Sequence, residues 1–316
     1  MDQGRPSRWN QAGIGARLTA LALSALACCA VAQYPDRPVR LIVPQAAGSA
    51  TDTVARLLSA NLPGTLGQPV VVENRPGGAL TIGMGPIGAM AITRHMVAKL
   101  PYDIERDLQP IGLVARGHLL LAVSPSLPVH SVKELIDYAK KHPGELTNAS
   151  SSNGSPGHVG GELFKYMTGT DIVHVPYKGG SMAINDLIAG HVQLMFESLN
   201  SISTYARSGK VRALAVSGAK RSVGFPELPT IAEAGVPGYE AATWTGVIGP
   251  AGLPRPVVLT LNAAINKAIK SPAFLARFRQ IGDEPAGGTP EDFAETIRRD
   301  SAKWAEVVKR SGAQID

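Results

Sequence analysis

Short apolar runs alternate with amphipathic segments along most of the chain. Val39-Arg-Leu-Ile-Val43 is rich in β-branched residues, as buried strands are, and residues 53–62 place apolar side chains three and four positions apart, as helices do. The same patterns predict strands at 69–73, 80–84, 111–115, 119–123, 146–149, 171–176, 192–196, 211–216 and 243–252, and helices after residue 155 and at 131–140, 181–189, 256–270, 272–281 and 290–310. The alternation predicts an α/β protein with two mostly parallel sheets, the last helices returning to the first sheet.

Two of the predicted strands, 69–73 and 80–84, stand unusually close together in the sequence. A parallel crossover usually needs a dozen or more residues, and only about five are available between them. Either these strands are not parallel neighbours, or the first sheet lacks an element near 78–82.

Loops of small residues follow several predicted strands, at 45–52, 85–89 and 150–158. Gly, Ala, Ser and Thr offer backbone N–H groups and hydroxyls with little bulk, and a helix N-terminus adds a partial positive charge. Ser150, Ser151, Asn153, Gly154 and Ser155 are therefore predicted to hold an anion, a carboxylate in our interpretation, although an exposed turn has a similar composition. The P-loop spacing of phosphate sites is absent.

Individual side chains near these loops each allow two interpretations. Asp52 is either a helix cap, a role Thr51 shares, or a residue that fixes the ligand loop or meets a ligand ammonium group. Glu197 is either such an ammonium partner or a solvated rim residue, and Trp244 either core or cleft wall. Tyr177 and Lys178 follow a strand and are candidates for the cleft, although lysine is more often solvated.

An enzymatic alternative pairs a serine of the 150–155 loop with His158 as the base of a periplasmic hydrolase. No Gly-x-Ser-x-Gly elbow accompanies this histidine, so a hydrogen-bonding or packing role is favoured and no catalytic residue is predicted. The scattered histidines predict no metal site, and no cofactor is expected.

The first residues are typical of a secretory signal peptide. Three arginines precede a short apolar stretch, Leu18 to Cys29, and Ala30-Val-Ala32 fits a cleavage site, so cleavage is predicted before Gln33. Both cysteines fall in this leader. Of the formal charge of +6, three Arg against Asp2 contribute +2 and leave +4, dispersed along the chain, which argues against nucleic-acid binding.

Several segments, in collinear order over nearly the whole mature chain, resemble the substrate-binding receptors of tripartite tricarboxylate transporters, the TctC or Bug family. They are residues 34–44, 50–52, 66–77, 100–103, 173–179 and 228–235, together with Trp304-Ala-Glu-Val-Val-Lys309. The sequence departs from that pattern after residue 77, where family members usually carry about twenty more residues, a helix and a strand; this is the gap noted above.

The resemblance implies a type II periplasmic binding protein fold, with lobe 1 formed by 33–116 and 243–316, lobe 2 by 117–242, and a ligand cleft between them. It implies a monomeric, non-enzymatic periplasmic receptor that is not embedded in the membrane. The receptor would pass a di- or tricarboxylate, or a related organic or amino acid, to permease subunits; presentation to a sensor kinase is the alternative. By position, the cleft would also include Gln45, Ala47, Gly48, Ser49, Thr51, Gly85, Pro86, Ile87, Gly179 and Ser198.

Overall fold

The computed structural model describes residues 34–45, 47–74, 82–98, 100 and 102–314. The predicted signal peptide at 1–32, and its cleavage site before Gln33, lie outside the described residues. From Pro38 onward the chain forms one compact unit, which contains both sheets.

Eleven strands are described, and they are named in chain order. They are β1 (Val39–Val43), β2 (Val70–Asn74), β3 (Ile82–Pro86), β4 (Leu108–Gly117), β5 (Leu119–Val123), β6 (Thr147–Ser150), β7 (Val173–Pro176), β8 (Leu194–Ser198), β9 (Arg212–Val216), β10 (Thr243–Pro250) and β11 (Glu284–Pro285). Six of them form one sheet in the order β11-β4-β10-β3-β1-β2, and five form a second in the order β7-β6-β8-β5-β9.

The described α-helices are named in the same way. They are α1 (Ala50–Asn61), α2 (Pro63–Leu66), α3 (Ile104–Asp107), α4 (Val132–Lys141), α5 (Pro156–Thr168), α6 (Gly180–Ala189), α7 (Leu199–Arg207), α8 (Arg255–Ala268), α9 (Pro272–Ile281) and α10 (Pro290–Ser311). A π-helical turn, Gly88–Ile92, and a 3-10 turn, Thr93–His95, follow β3.

The prediction of an α/β protein with two sheets is confirmed, but both sheets are mixed rather than mostly parallel. In the first sheet β10 enters between β3 and β4 and runs antiparallel to both. In the second, β5 runs antiparallel to β8 and β9, whereas β6 is parallel to β7 and β8. Strands β5 and β10 each follow a crossing between the sheets, at 117–119 and before Thr243, and β11 also runs antiparallel to β4.

Strands β2 and β3, which a short connection joins, lie on either side of β1. Both strands pair in parallel with β1, on its two opposite sides, so they are not neighbours of each other. They nevertheless run in the same direction, so the connection between them must still return along the sheet, and the missing element stays a prediction. Residues 75–81, where the missing element was expected, lie outside the described residues.

The core of each sheet is built from the predicted apolar runs. In β5 every side chain from Leu119 to Val123 is buried, because helices cover both faces of the second sheet. Aromatic side chains join α5, β8 and the segment after β9: Phe164 lies 5.6 Å from Phe196 and 6.3 Å from Tyr239 between ring centroids. This packing holds α5 firmly, and with it the loop that precedes the helix.

Candidate functional site

A cleft of about 720 Å³ is lined by residues that belong to, or follow, strands of both sheets. That volume lies in the ordinary range for small-molecule sites. The wall includes the loops after β1, β3, β6, β7 and β8, together with the ends of β4 and β10. Ligand loops in open α/β sheets gather in this way beyond the carboxyl ends of the strands.

Four helices begin at this cleft: α1, α5, α6 and α7. Ser49 caps α1 by accepting a hydrogen bond from Asp52 N at 3.2 Å, and Ser155 caps α5 by accepting from His158 N at 3.2 Å. The N-termini of α6 and α7 have no side-chain cap within the described part of the chain. Each terminus carries a partial positive charge and unpaired N–H groups, so the cleft suits an anion.

Asp52 holds the 45–52 loop against α1. Its carboxylate accepts from Gly48 N, Arg56 Nε and Asn74 Nδ2, each at 2.9 Å. Burial acts to raise the pKa of Asp52, but these hydrogen bonds outweigh it and hold the pKa below its ordinary value. The helix cap is Ser49, so the prediction that Thr51 or Asp52 caps this helix is wrong: α1 begins at Ala50, and a cap stands immediately before the first helical residue.

His158 and His174 stabilise the loop that leads into α5. Their rings stack with centroids 3.7 Å apart, His158 Nδ1 accepts from Gly154 N at 3.1 Å, and His174 Nε2 lies 2.7 Å from Ser150 Oγ. Burial, reinforced by the charge of Lys165, lowers the pKa of His158 to about 4. For His174, burial and the neighbouring His158 lower it to about 3. Both rings are neutral at pH 7 and serve the loop backbone.

The cleft wall also contains two buried acids. Glu197, the second-last residue of β8, accepts from Ser198 N at 2.9 Å, and burial raises its pKa to about 7. Asp283 precedes β11, and burial likewise raises its pKa to about 7. Asp283 Oδ1 has no hydrogen-bond partner among the described residues. Neither carboxyl has an ordinary aqueous environment.

Comparison with known proteins assigns the chain to a family. The model of the tripartite tricarboxylate transporter family receptor matches residues 54–313. Protein BugT of Bordetella pertussis is 35% identical over 298 residues, covering 89% of this chain and 91% of BugT. The chain belongs to this receptor family.

Solved structures support the assignment. A Rhodopseudomonas palustris protein, Rpa4515, solved with adipate, superposes with a TM-score of 0.84 at 39% identity, covering 89% of this chain and 100% of that one. MatC of the same organism, with bound malate, gives a TM-score of 0.80 at 29% identity, covering 87% and 100%. The two sheets and intervening cleft are thus those of a two-lobed periplasmic binding fold.

Most residues predicted for the receptor's site are brought together in the cleft wall, while their contact with a ligand stays a prediction. The wall includes Gln45, Ala47, Gly48, Ser49, Thr51, Pro86, Ile87, Ser151, Asn153, Gly154, Ser155, Lys178, Gly179, Glu197, Ser198 and Trp244. Trp244 has both proposed roles, since it is buried, donates to Asp300 Oδ2 at 2.6 Å and still lines the cleft.

Five predicted residues stand outside that wall, each held by another contact. Asp52 lies beneath its loop, and Gly85 belongs to β3, paired with Gly246 of β10. Ser150 and His158 are buried in the histidine cluster. Tyr177 donates its hydroxyl to Asp186 Oδ2 at 2.6 Å, which also helps burial to raise its pKa to about 12.

Some residues of the cleft were not predicted from the sequence, because the pairing of strands distant in sequence brings them there. Asp283 lies over a hundred positions from the small-residue loops and joins them because β11 pairs with β4. The first turn of α7, with Asn200 and Ser201, is absent from the predicted helices, and its short stretch is rich in Ser, Thr and Asn. Thr243 and Thr245 of β10 could have been predicted, because they flank Trp244, which was predicted for the cleft.

The described residues offer no group of three or more His, Cys, Asp or Glu arranged to hold a metal ion. Within the same ranges, none of the helices combines the length and apolar character needed to cross a lipid bilayer.

Proposed function

We propose that this chain is a periplasmic receptor that captures a small dicarboxylate, or a related organic acid, and delivers it to the permease subunits of a tripartite tricarboxylate-type transporter. The lobes are proposed to be 33–116 with 243–316, and 117–242. The mature protein is proposed to act as a monomer released by cleavage before Gln33.

The convergence of four helix N-termini carries the proposal. Each contributes roughly half a positive charge at short range, and α6 and α7 have no side-chain cap. The first N–H of α7, that of Leu199, donates to the His118 carbonyl oxygen. Four such ends around about 720 Å³ can hold two carboxylates without a buried cationic side chain. The adipate and malate of the two R. palustris relatives are dicarboxylates, which favours the same ligand class here.

Contacts across the cleft indicate how the ligand would be enclosed. Asn200 Nδ2, at the start of α7, donates to the carbonyl oxygen of Ala50, at the start of α1, at 3.2 Å. Gly88 faces Gly154 so closely that a Cβ added there would stand 3.4 Å from the Gly154 carbonyl oxygen. The two walls can therefore close over a small ligand and exclude water.

We further propose that the protein is not an enzyme. The pair Ser150–His174 has a hydroxyl–imidazole distance of 2.7 Å, but Ser150 is buried outside the cleft wall. His158 uses Nδ1 to accept from the Gly154 backbone, so this nitrogen does not activate a serine. The receptor family and these contacts both favour binding without turnover.

Calorimetric titration tests the proposal. Protein freed of copurified ligand by unfolding and refolding is titrated with adipate, malate, citrate and a neutral diamide of adipate. We expect saturable binding of at least one dicarboxylate and none of the diamide, because only the anion matches the helix ends. Absence of binding by every acid would refute the proposal, and hydrolysis of an ester panel that is lost in His158→Ala would support the enzymatic alternative instead.

A further inference from the structure

Glu197 places an acid where the receptor needs an anion site. It is the second-last residue of β8, two positions before α7 begins. Its Oε2 lies against the start of α6, where a Cβ added to Gly180 would be 3.1 Å away. The side chain is only slightly exposed, and that exposure faces the cleft, which Glu197, Gly180 and Ser198 all line. A ligand carboxylate drawn to the N-termini of α6 and α7 arrives beside this carboxyl group.

The hydrogen bonds of Glu197 are compatible with a protonated carboxyl group. Ser198 N donates to Oε1 at 2.9 Å, and the Ser201 side chain also hydrogen-bonds the carboxyl. Neither partner is cationic, and no charged group among the described residues shifts the pKa of Glu197. An ionised Glu197 would be a buried charge next to a bound anion, which is costly without a cation.

The charged groups around Glu197 form no ion pair with it among the described residues. Strands β5 and β6, on either side of β8, carry no titratable side chain. The titratable or charged groups on the helices packed against β8, and on the cleft wall, are His158, Glu162, Lys165, Tyr166, Asp186, Tyr205, Arg207, Arg116, Lys178 and Asp283. Among them Lys165 pairs with Glu162, Asp186 accepts from Tyr177, and Arg207 donates to the Gly224 carbonyl oxygen. Arg116 donates to Thr296 Oγ1.

We propose that Glu197 binds the ligand in its protonated form and donates its O–H to a ligand carboxylate, so that ligand capture takes up a proton. This inference rests on the proposed carboxylate-receptor function and adds a pH-dependent specificity residue to it. A carboxylic acid donating to a carboxylate forms a short, charge-assisted hydrogen bond. The same group in ionised form would repel a dianion and accept from an ammonium group, so protonation selects dicarboxylates over amino acids.

The direction of the pH effect follows from linkage. Burial raises the pKa of Glu197 to about 7, so the free carboxyl is largely protonated at pH 6 and largely ionised at pH 8. Binding that requires the proton is therefore unaffected below this range and weakens above it, by about tenfold between pH 6 and pH 8. Adipate itself does not cause the change, because ordinary carboxyl groups titrate near pH ~4.

Calorimetric titration of the mature protein with adipate at pH 6, 7 and 8 tests the proposal. Each titration is run in phosphate and in Tris, because the different ionisation enthalpies of these buffers reveal the number of protons taken up. We expect Kd to rise about tenfold from pH 6 to pH 8, with proton uptake approaching one per ligand at pH 8. Glu197→Gln keeps a neutral donor at every pH, and its Kd should change less than about twofold with no proton uptake. Asp283→Asn, which removes the other buried acid of the wall, should retain the wild-type slope.

A second measurement, on the wild type alone, tests the proposal even if the Glu197→Gln variant folds poorly. In wild-type protein with ¹³C-labelled glutamate, the Glu197 carboxyl resonance should titrate near pH 7 without ligand and at least one pH unit higher with adipate bound. A pH-independent Kd of the wild type, a slope that survives in Glu197→Gln, or a slope lost only in Asp283→Asn overturns the inference while the receptor function stands. Failure of every dicarboxylate to bind at any of the three pH values overturns both.

Discussion

At the scale of single residues, Asp283 is a buried acid whose hydrogen bonding is incomplete among the described residues. It is buried, Oδ1 has no hydrogen-bond partner there, and its carboxyl accepts from the backbone N–H of His118, in the segment that joins the two sheets. Gly117 leaves the space that Oδ1 occupies, since a Cβ on that glycine would be 2.3 Å from it. A half-satisfied buried carboxyl of this kind costs stability.

Replacing Asp283 with Asn should therefore stabilise the protein in a pH-dependent way. Burial raises the pKa of Asp283 to about 7 in the folded protein, whereas the unfolded chain ionises near pH ~4. Between these values the unfolded state loses its proton first, so the wild type loses stability relative to the variant as pH rises, and the difference levels off above pH 7.

Urea unfolding of both proteins at pH 4, 5.5 and 7 measures the difference. We expect Asp283→Asn to be more stable by on the order of 2 kcal/mol at pH 7, and by much less at pH 4. A stability difference that stays constant across this range would show that Asp283 does not keep its proton on folding.

At the scale of elements, the cleft depends on how closely α5 approaches the second sheet. A Cβ at Gly157 would stand 2.1 Å from the Phe196 carbonyl oxygen of β8, and one at Gly161 2.1 Å from Asn148 Nδ2 of β6. Alanine favours helices over glycine by up to about 1 kcal/mol, but a backbone clash of this size outweighs that gain. The glycines therefore fix the position of the α5 N-terminus.

Gly157→Ala should lower the free energy of unfolding by about 1–3 kcal/mol and weaken ligand binding. Gly64→Ala is the matched control, because Gly64 lies in helix α2 with nothing within 4 Å of an added Cβ, so it should be neutral or slightly stabilising. Denaturant unfolding and calorimetry compare the two variants. Equal stabilities would mean that α5 can shift freely away from β8.

The elements were largely predictable from the sequence, because apolar periodicity is local. Strand β1 and helices such as α6 and α10 appear nearly where the pattern places them. Strand order was not predictable, since the entry of β10 between β3 and β4 depends on contacts more than a hundred residues apart. For the same reason the small-residue loops of the cleft could be predicted, whereas Asp283 could not.

At the scale of the whole molecule, the proposed ligand capture requires the two walls to close together, and Asn200 is a direct link between them. Its side chain donates to the Ala50 carbonyl oxygen at 3.2 Å, joining the N-termini of α7 and α1. One such hydrogen bond contributes roughly 1 kcal/mol, which corresponds to about a fivefold change in the closed population. Because bound ligand is released when the walls separate, the loss should act mainly on dissociation.

Asn200→Ala should therefore bind adipate about two- to fivefold more weakly, with a faster dissociation rate and an unchanged association rate. Small-angle X-ray scattering should show a larger radius of gyration for the ligand-free variant than for the ligand-free wild type. Asn185→Ala provides the matched control, because Asn185 is exposed on α6, away from the cleft wall, and should leave binding and scattering unchanged. If Asn200→Ala behaves like Asn185→Ala in both measurements, the contact with Ala50 does not hold the walls together, and closure must rest on the ligand itself.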